Sequence, residues 1–124
     1  MKIIIKEMQA GSVTILGLSG RLFMGEGSDE LDHKLQDFIS AGRVNFLLDC
    51  SHVSGIDSQG IKSLVRGVIS AQKRGGKLKL LNLSHRVKEV LQITRLLTVI
   101  ESFEDEGAAL QSFSSPVPPA ADPA

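Results

Sequence analysis

Tryptophan and tyrosine are absent from this chain of 124 residues, cysteine occurs once and proline four times. Each shortage removes a class of answer. Five phenylalanines are the whole aromatic complement, too few to build a platform for stacked bases, which argues against direct nucleic-acid binding. The lone Cys50 cannot close an internal disulfide, and no second thiol stands at the spacing that zinc requires. A reducing compartment, the cytoplasm, is therefore expected, with no metal and no other cofactor. All the prolines (Pro116, Pro118, Pro119, Pro123) follow Phe113, so up to that point glycine does the punctuation. An excess of either charge is missing too: 14 basic residues balance 14 acidic ones, so global electrostatics recruit neither nucleic acid nor an anionic membrane. No apolar run approaches the roughly 20 residues of a membrane span, and Ile3-Ile4-Ile5 is too short for a signal-peptide core.

What is present reads as one ordinary core. Apolar residues make up 42% and charged residues 23%, which suits a single globular domain over residues 1–113. Residues 114–124, rich in Pro, Ala and Ser, hold too little apolar surface to offset the entropy of ordering and are expected to form a disordered, dispensable tail. Two β-type runs, residues 2–8 and 12–18, flank Gln9-Ala10-Gly11 as a hairpin. Leu31, Leu35, Phe38 and Ile39 then repeat at helical spacing between Asp29-Glu30 and Gly42. Val44 to Leu48 is the near-continuous apolar run of a strand covered on both faces. A second helix is predicted from Ser58 to Arg74, presenting Ile61, Leu64, Val65, Val68 and Ile69 and ending at Gly75-Gly76. A strand at residues 77–83 follows, then a helix capped by Ser84, a short edge strand at Thr98-Val99-Ile100 and a terminal helix at residues 104–113. The order ββαβαβαβα implies an α/β domain: a mixed, mostly parallel sheet of four to five strands with an N-terminal hairpin and about four helices packed on it.

The richest polar stretch, Asp49-Cys50-Ser51-His52-Val53-Ser54-Gly55-Ile56-Asp57-Ser58-Gln59-Gly60, lies between the central strand and the second helix. Ligands and partners of open α/β sheets collect at the carboxyl ends of strands. With Asp57 as N-cap, its carboxylate accepts from backbone N–H groups one turn in and Ser58 projects its hydroxyl outward, with Gly60 leaving that hydroxyl uncrowded. The same two residues also read as nothing more than a helix cap.

Residues Gly55 to Gly60, the apolar helix after them and Gly75-Gly76 behind it resemble the anti-sigma factor antagonist family, bacterial proteins built on the STAS domain. In that family an Asp-Ser-(Ser/Thr)-Gly-Leu segment opens a helix after a buried strand ending in Leu-Asp. The counterparts here are Leu48-Asp49 and Asp57-Ser58-Gln59-Gly60-Ile61. Ser19-Gly20-Arg21-Leu22 and Leu81-Asn82-Leu83-Ser84, the latter followed by Val87 and Val90-Leu91, match flanking regions, and the likeness covers about residues 3–113. It departs from the family pattern at Gln59, where a second hydroxyl is usual; at Phe23, where many members have an acidic residue; and at Arg95, where glycine is common. The resemblance implies that Ser58 is phosphorylated by an anti-sigma factor that is also a serine kinase. Unphosphorylated protein binds that partner and frees a sigma factor, and the phosphorylated form lets go. Asp57, Ser58, Gln59, Gly60 and Lys62 are the expected partner-binding residues, Lys62 because it lies four residues after Ser58 on one helical face. Arg66, one turn further, is a second candidate cation. The expected molecule is a monomer or weak dimer.

Rival chemistries fit less well. A hydrolase elbow needs glycine two residues before its serine, and Ile56 fills that place. His33, His52 and His85 are isolated along the chain, Cys50-x-His52 offers only half a metal site, and no catalytic residue is assigned. Residues 58–88 carry eight basic side chains and no acidic one, which reads as solvated helix and strand faces. A STAS scaffold subunit that is never phosphorylated and docks in a larger signalling or transport complex is the alternative.

Overall fold

The computed structural model describes residues 3–25 and 27–114, so all but the first residue of the expected tail lies outside the described part. β1 (Ile4–Ala10) and β2 (Val13–Leu22) form the N-terminal hairpin, in antiparallel register from Ile4 opposite Ser19 to Ala10 opposite Val13. There follow α1 (Ser28–Ser40), β3 (Asn45–Ile56), α2 (Ser58–Lys73), β4 (Lys77–Leu81), α3 (His85–Ile93), a 3₁₀ turn (Leu96–Thr98), β5 (Ser102–Phe103) and α4 (Glu106–Ser114). The strands lie in the order β1-β2-β3-β4-β5, and every pairing after the hairpin is parallel. This is the mixed, mostly parallel sheet with four helices that the element order predicts.

Alternation along the strands sorts their residues onto two faces. Leu16, Leu18, Phe46, Leu48, Leu78 and Leu80 meet Leu31, Leu35 and Ile39 of α1, Leu64 of α2, and Val87 and Leu91 of α3 in the main core. Each fully buried leucine there contributes about 2 kcal/mol through removal of apolar surface from water. Val13, Ile15, Leu47 and Leu81 face the other way, under Ala109, Leu110 and Phe113 at α4. Helices α1 and α2 both stop at a glycine with positive φ, Gly42 and Gly75, where the next two amides bond back into the last turn: Gly42 N–H to Ile39 O and Arg43 N–H to Phe38 O, Gly75 N–H to Gln72 O and Gly76 N–H to Ala71 O.

Four local expectations are corrected. Residues 49–56, read as loop, continue β3, because β2 is itself long and its second half takes β3 as a parallel partner from Ser19 opposite His52 to Leu22 opposite Ile56. A register shift after Gly17 and Asp49 breaks the two-residue period that would have revealed the strand, leaving Cys50, Val53 and Ile56 buried at intervals of three. Second, α2 buries Gly60, Ser63, Leu64, Gly67 and Ala71, whereas Ile69 is 46% exposed. Leu64 is buried and Ile61 and Val68 pack on the core as expected, but the helix lies so close to its neighbours that a Cβ on Gly67 would come within 2.8 Å of Leu78 Cδ1 and 2.9 Å of Leu35 Cδ1, so small residues share the inward face and Ile69 is turned off it. Third, the last strand is Ser102–Phe103, not Thr98-Val99-Ile100. Arg95 sits in the left-handed region at φ +61 and starts the 3₁₀ turn, which brings Ile100 into the core before β5 begins. Fourth, the Ser84 hydroxyl does not cap α3. It donates to Val53 O at 2.7 Å.

Candidate functional site at the amino end of α2

Strand β3 ends at Ile56 and α2 begins at Ser58, so Asp57 is the whole connection. Its backbone is extended at φ −113 and ψ −172, the conformation of an N-cap. Asp57 Oδ1 accepts from Gln59 N–H at 3.0 Å and Gly60 N–H at 2.9 Å, as the sequence predicts. The second carboxylate oxygen has a task that the sequence does not reveal: Oδ2 accepts from Met24 N–H at 3.0 Å, fastening the β2–α1 connection to the start of α2. Partial burial works to raise the Asp57 pKa, but the N–H groups of Met24, Gly60 and Gln59 outweigh it and hold the carboxyl below its ordinary value of 3.8. An ionised carboxylate with its lone pairs engaged in this way is a poor general base.

Gly60 is required for a reason other than room around the Ser58 hydroxyl. A Cβ there would stand 2.1 Å from Leu22 O and 2.7 Å from Ile56 Cγ1. The first turn of α2 is pressed against the ends of β2 and β3, and Asp57 N–H reaches the same Leu22 carbonyl at 3.3 Å. Gln59 is half-buried beside it. Phe23 fills the space above Gly55, with its ring 3.2 Å from where a Cβ would be, and the Arg21 guanidinium lies 5.2 Å from that ring's centre.

Ser58 itself is exposed, and its hydroxyl has no hydrogen-bond partner among the described residues. Lys62 is exposed one turn on, without an ion-pair partner among the described residues. Arg66 is engaged, its Nη2 lying 2.6 Å from Asp32 Oδ2 of α1. The first-turn amides of Gln59 and Gly60 serve the Asp57 carboxylate, and Ile61 N–H bonds Asp57 O at 2.9 Å. Any further anion at Ser58 therefore lies beside one negative charge that has already taken the helix's best donors. Cys50 and His52 do not converge. Cys50 faces the main core, where burial and then Asp49 push its thiol up to about 12, while His52 is exposed and pairs with Ser51 Oγ at 3.2 Å.

Met24 was missed by sequence reasoning. Its side chain is 66% exposed while its amide is held by Asp57. The signal for it was a large apolar residue in a glycine-flanked connection, Phe23-Met24-Gly25, at the carboxyl end of a strand. Met24, Ser58 and Lys62 are each exposed, on the β2–α1 connection and the first turns of α2.

The family model described as the STAS domain matches residues 5–109. No curated protein sequence matches significantly. Among solved structures, an anti-sigma factor antagonist from Mycobacterium paratuberculosis superposes with a TM-score of 0.79 at 16% identity, over 92% of this chain and 96% of that one. The Bacillus cell fate determinant SpoIIAA, an anti-sigma factor antagonist, gives 0.77 at 19% identity in its unphosphorylated form, over 92% and 99%. A sulfate transporter family protein from Wolinella succinogenes gives 0.72 at 26% identity, over 86% and 88%.

Proposed function

The chain belongs to the STAS domain family, and on that footing we propose that it is an anti-sigma factor antagonist, a protein-binding module without catalysis of its own. It holds an anti-sigma factor that is also a serine kinase while Ser58 is unmodified, and releases it once Ser58 carries phosphate, thereby regulating transcription in a bacterial cytoplasm. The observation that carries this reading is an exposed, unengaged Ser58 hydroxyl on the first residue of α2, beside an Asp57 whose carboxylate is locked behind it.

A phosphate adds a charge of about −1.5 to −2 near neutral pH. On Ser58 it stands next to ionised Asp57, whose bonds to Gln59, Gly60 and Met24 hold the scaffold, so the fold persists while the surface changes sign. A partner surface matched to a small neutral hydroxyl then has to desolvate a dianion, which costs several kcal/mol without a matching cation. Lys62 is the cation within one turn and orients the phosphate; Arg66, tied to Asp32, does not. Met24 supplies apolar contact at the rim, and Gln59 leaves Ser58 as the sole hydroxyl at the helix start. The test is phosphosite mapping by mass spectrometry on protein isolated with its partner: phosphate is expected on Ser58 in the released fraction and not in the complex.

The transporter-family neighbour favours a second reading, a STAS scaffold subunit that is never phosphorylated and docks in a larger signalling or transport assembly. A stable native complex whose Ser58 is unmodified under every growth condition selects that reading.

A further inference from the structure

The opposite end of α2 carries features that no role at Ser58 uses. β5 pairs only with Leu80 and Leu81 of β4, through Leu80 N–H to Glu101 O at 2.9 Å and Asn82 N–H to Phe103 O at 2.8 Å. Alternation turns the N–H and C=O of Leu78 to that same side, away from the β3 side, where Lys77 N–H bonds Val44 O at 3.1 Å. Opposite Leu78 no strand lies among the described residues. This open edge borders a cleft of about 430 Å³ between α2 and Val99, with Val68 and Gln72 on one side and Gly76 beneath. A second cleft of about 440 Å³, lined by Val65, Ile69 and Ile100, shares Val68 and Val99 with the first. Val99 is 67% exposed.

The rim is basic. Lys73 and Arg74 close α2 and Lys77 opens β4, and none of the three has an ion-pair partner among the described residues. The acid at this cleft, Glu101, is occupied by Lys79 Nζ at 3.0 Å. The negative end of the helix dipole, worth about half a charge, offsets only part of the three cations.

We propose that this face docks an extended segment of a protein partner. The segment adds as a strand along the open edge of β4 at Leu78, seats alternate apolar side chains between Val68 and Val99, and carries acidic residues opposite Lys73, Arg74 and Lys77. A helix cannot satisfy the main-chain groups of Leu78. A second copy of this chain is a poor occupant, because the free edge strand it offers, β1, has its one acid, Glu7, already paired with Arg43. The site lies at the amino ends of the parallel strands, away from Ser58, and is independent of the switch.

The probe is a short fluorescein-labelled peptide of alternating valine and glutamate, followed by anisotropy and amide NMR on the whole chain. Expected are shifts centred on residues 76–79 and 99–101, and binding weakened roughly tenfold or more by Val99→Glu and by Lys77→Glu with unchanged thermal melts. Ser58→Glu leaves the affinity as it was. The proposal is overturned by absence of binding, by shifts elsewhere, or by equal binding of a valine–lysine peptide. Sedimentation showing a dimer that Val99→Glu dissolves also overturns it, since the occupant is then a second copy.

Discussion

Helices α2 and α3 start from neighbouring parallel strands, and each start is marked in the sequence by a residue that caps helices, Asp57 in one and Ser84 in the other. The structure uses them differently. Asp57 turns back on its own helix and also catches Met24, whereas Ser84 ignores its helix and ties the β4–α3 connection to Val53 of β3. The first arrangement fixes a charged group behind an exposed serine, and the second spends its hydroxyl on the scaffold. A cap residue thus marks where a helix begins without saying what its side chain is for, and only at α2 is a free hydroxyl left over.

The comparison breaks most severely at Gly60→Ala. The added Cβ meets a backbone carbonyl 2.1 Å away, so the helix start has to lift off β2, and a loss of roughly 3 kcal/mol in urea unfolding is expected despite the better helix propensity of alanine. An alanine at position 60 that melts like wild type contradicts the close packing of α2 on Leu22.

Asp57→Asn comes next, at about 1–2 kcal/mol, because the helix start loses its negative charge and the side-chain NH2 cannot accept from Met24 N–H as Oδ2 does. Its pH dependence has a definite sign. The folded carboxyl titrates below its ordinary 3.8, so the advantage of wild type over Asp57→Asn is full above that value and disappears as pH falls through the lower folded pKa. Unfolding curves across the acid range check this, and an advantage that grows on acidification refutes it.

Ser84→Ala removes one hydrogen bond to a strand carbonyl and costs about 1 kcal/mol. Amide exchange should quicken around Val53 while the α3 amides keep their protection. Loss of protection in the first turn of α3 instead restores Ser84 to a capping role. The smallest effect lies at the far end of α3. Arg95 holds the left-handed turn that glycine holds after α1 and α2, so Arg95→Gly should stabilise by about 0.5 kcal/mol, the relief of side-chain strain slightly exceeding the added freedom of the unfolded chain.

These contrasts also show what was legible in the sequence. Long periodic segments and helix ends marked by glycine or aspartate gave the element order, the hairpin and the cap at Asp57, because each rests on neighbours in the chain. The second half of β3 was not legible, since the register shift against β2 hides its period. Nor was the close approach of α2, where contact with Leu35 and Leu78 leaves room only for glycine at position 67 and Ile69 is left exposed. At the site, Asp57 and Ser58 could be found from spacing and resemblance. The bond from Met24, 33 residues away in sequence, and the packing of Gly60 on Leu22 could not, because both depend on where β2 ends. Among the described residues no helix is long and apolar enough to cross a membrane.

The central claim is that the Ser58 hydroxyl, set before a locked Asp57, decides binding without deciding folding. The direct measurement is calorimetric titration of the co-isolated anti-sigma kinase with wild type, Ser58→Ala and protein stoichiometrically phosphorylated at Ser58, each checked by circular-dichroism melting. Ser58→Ala should bind as wild type does, and the phosphorylated protein roughly a hundredfold more weakly or worse with an unchanged melt. Equal affinity of the phosphorylated and unmodified proteins, or a loss of affinity that tracks loss of folding, contradicts the account.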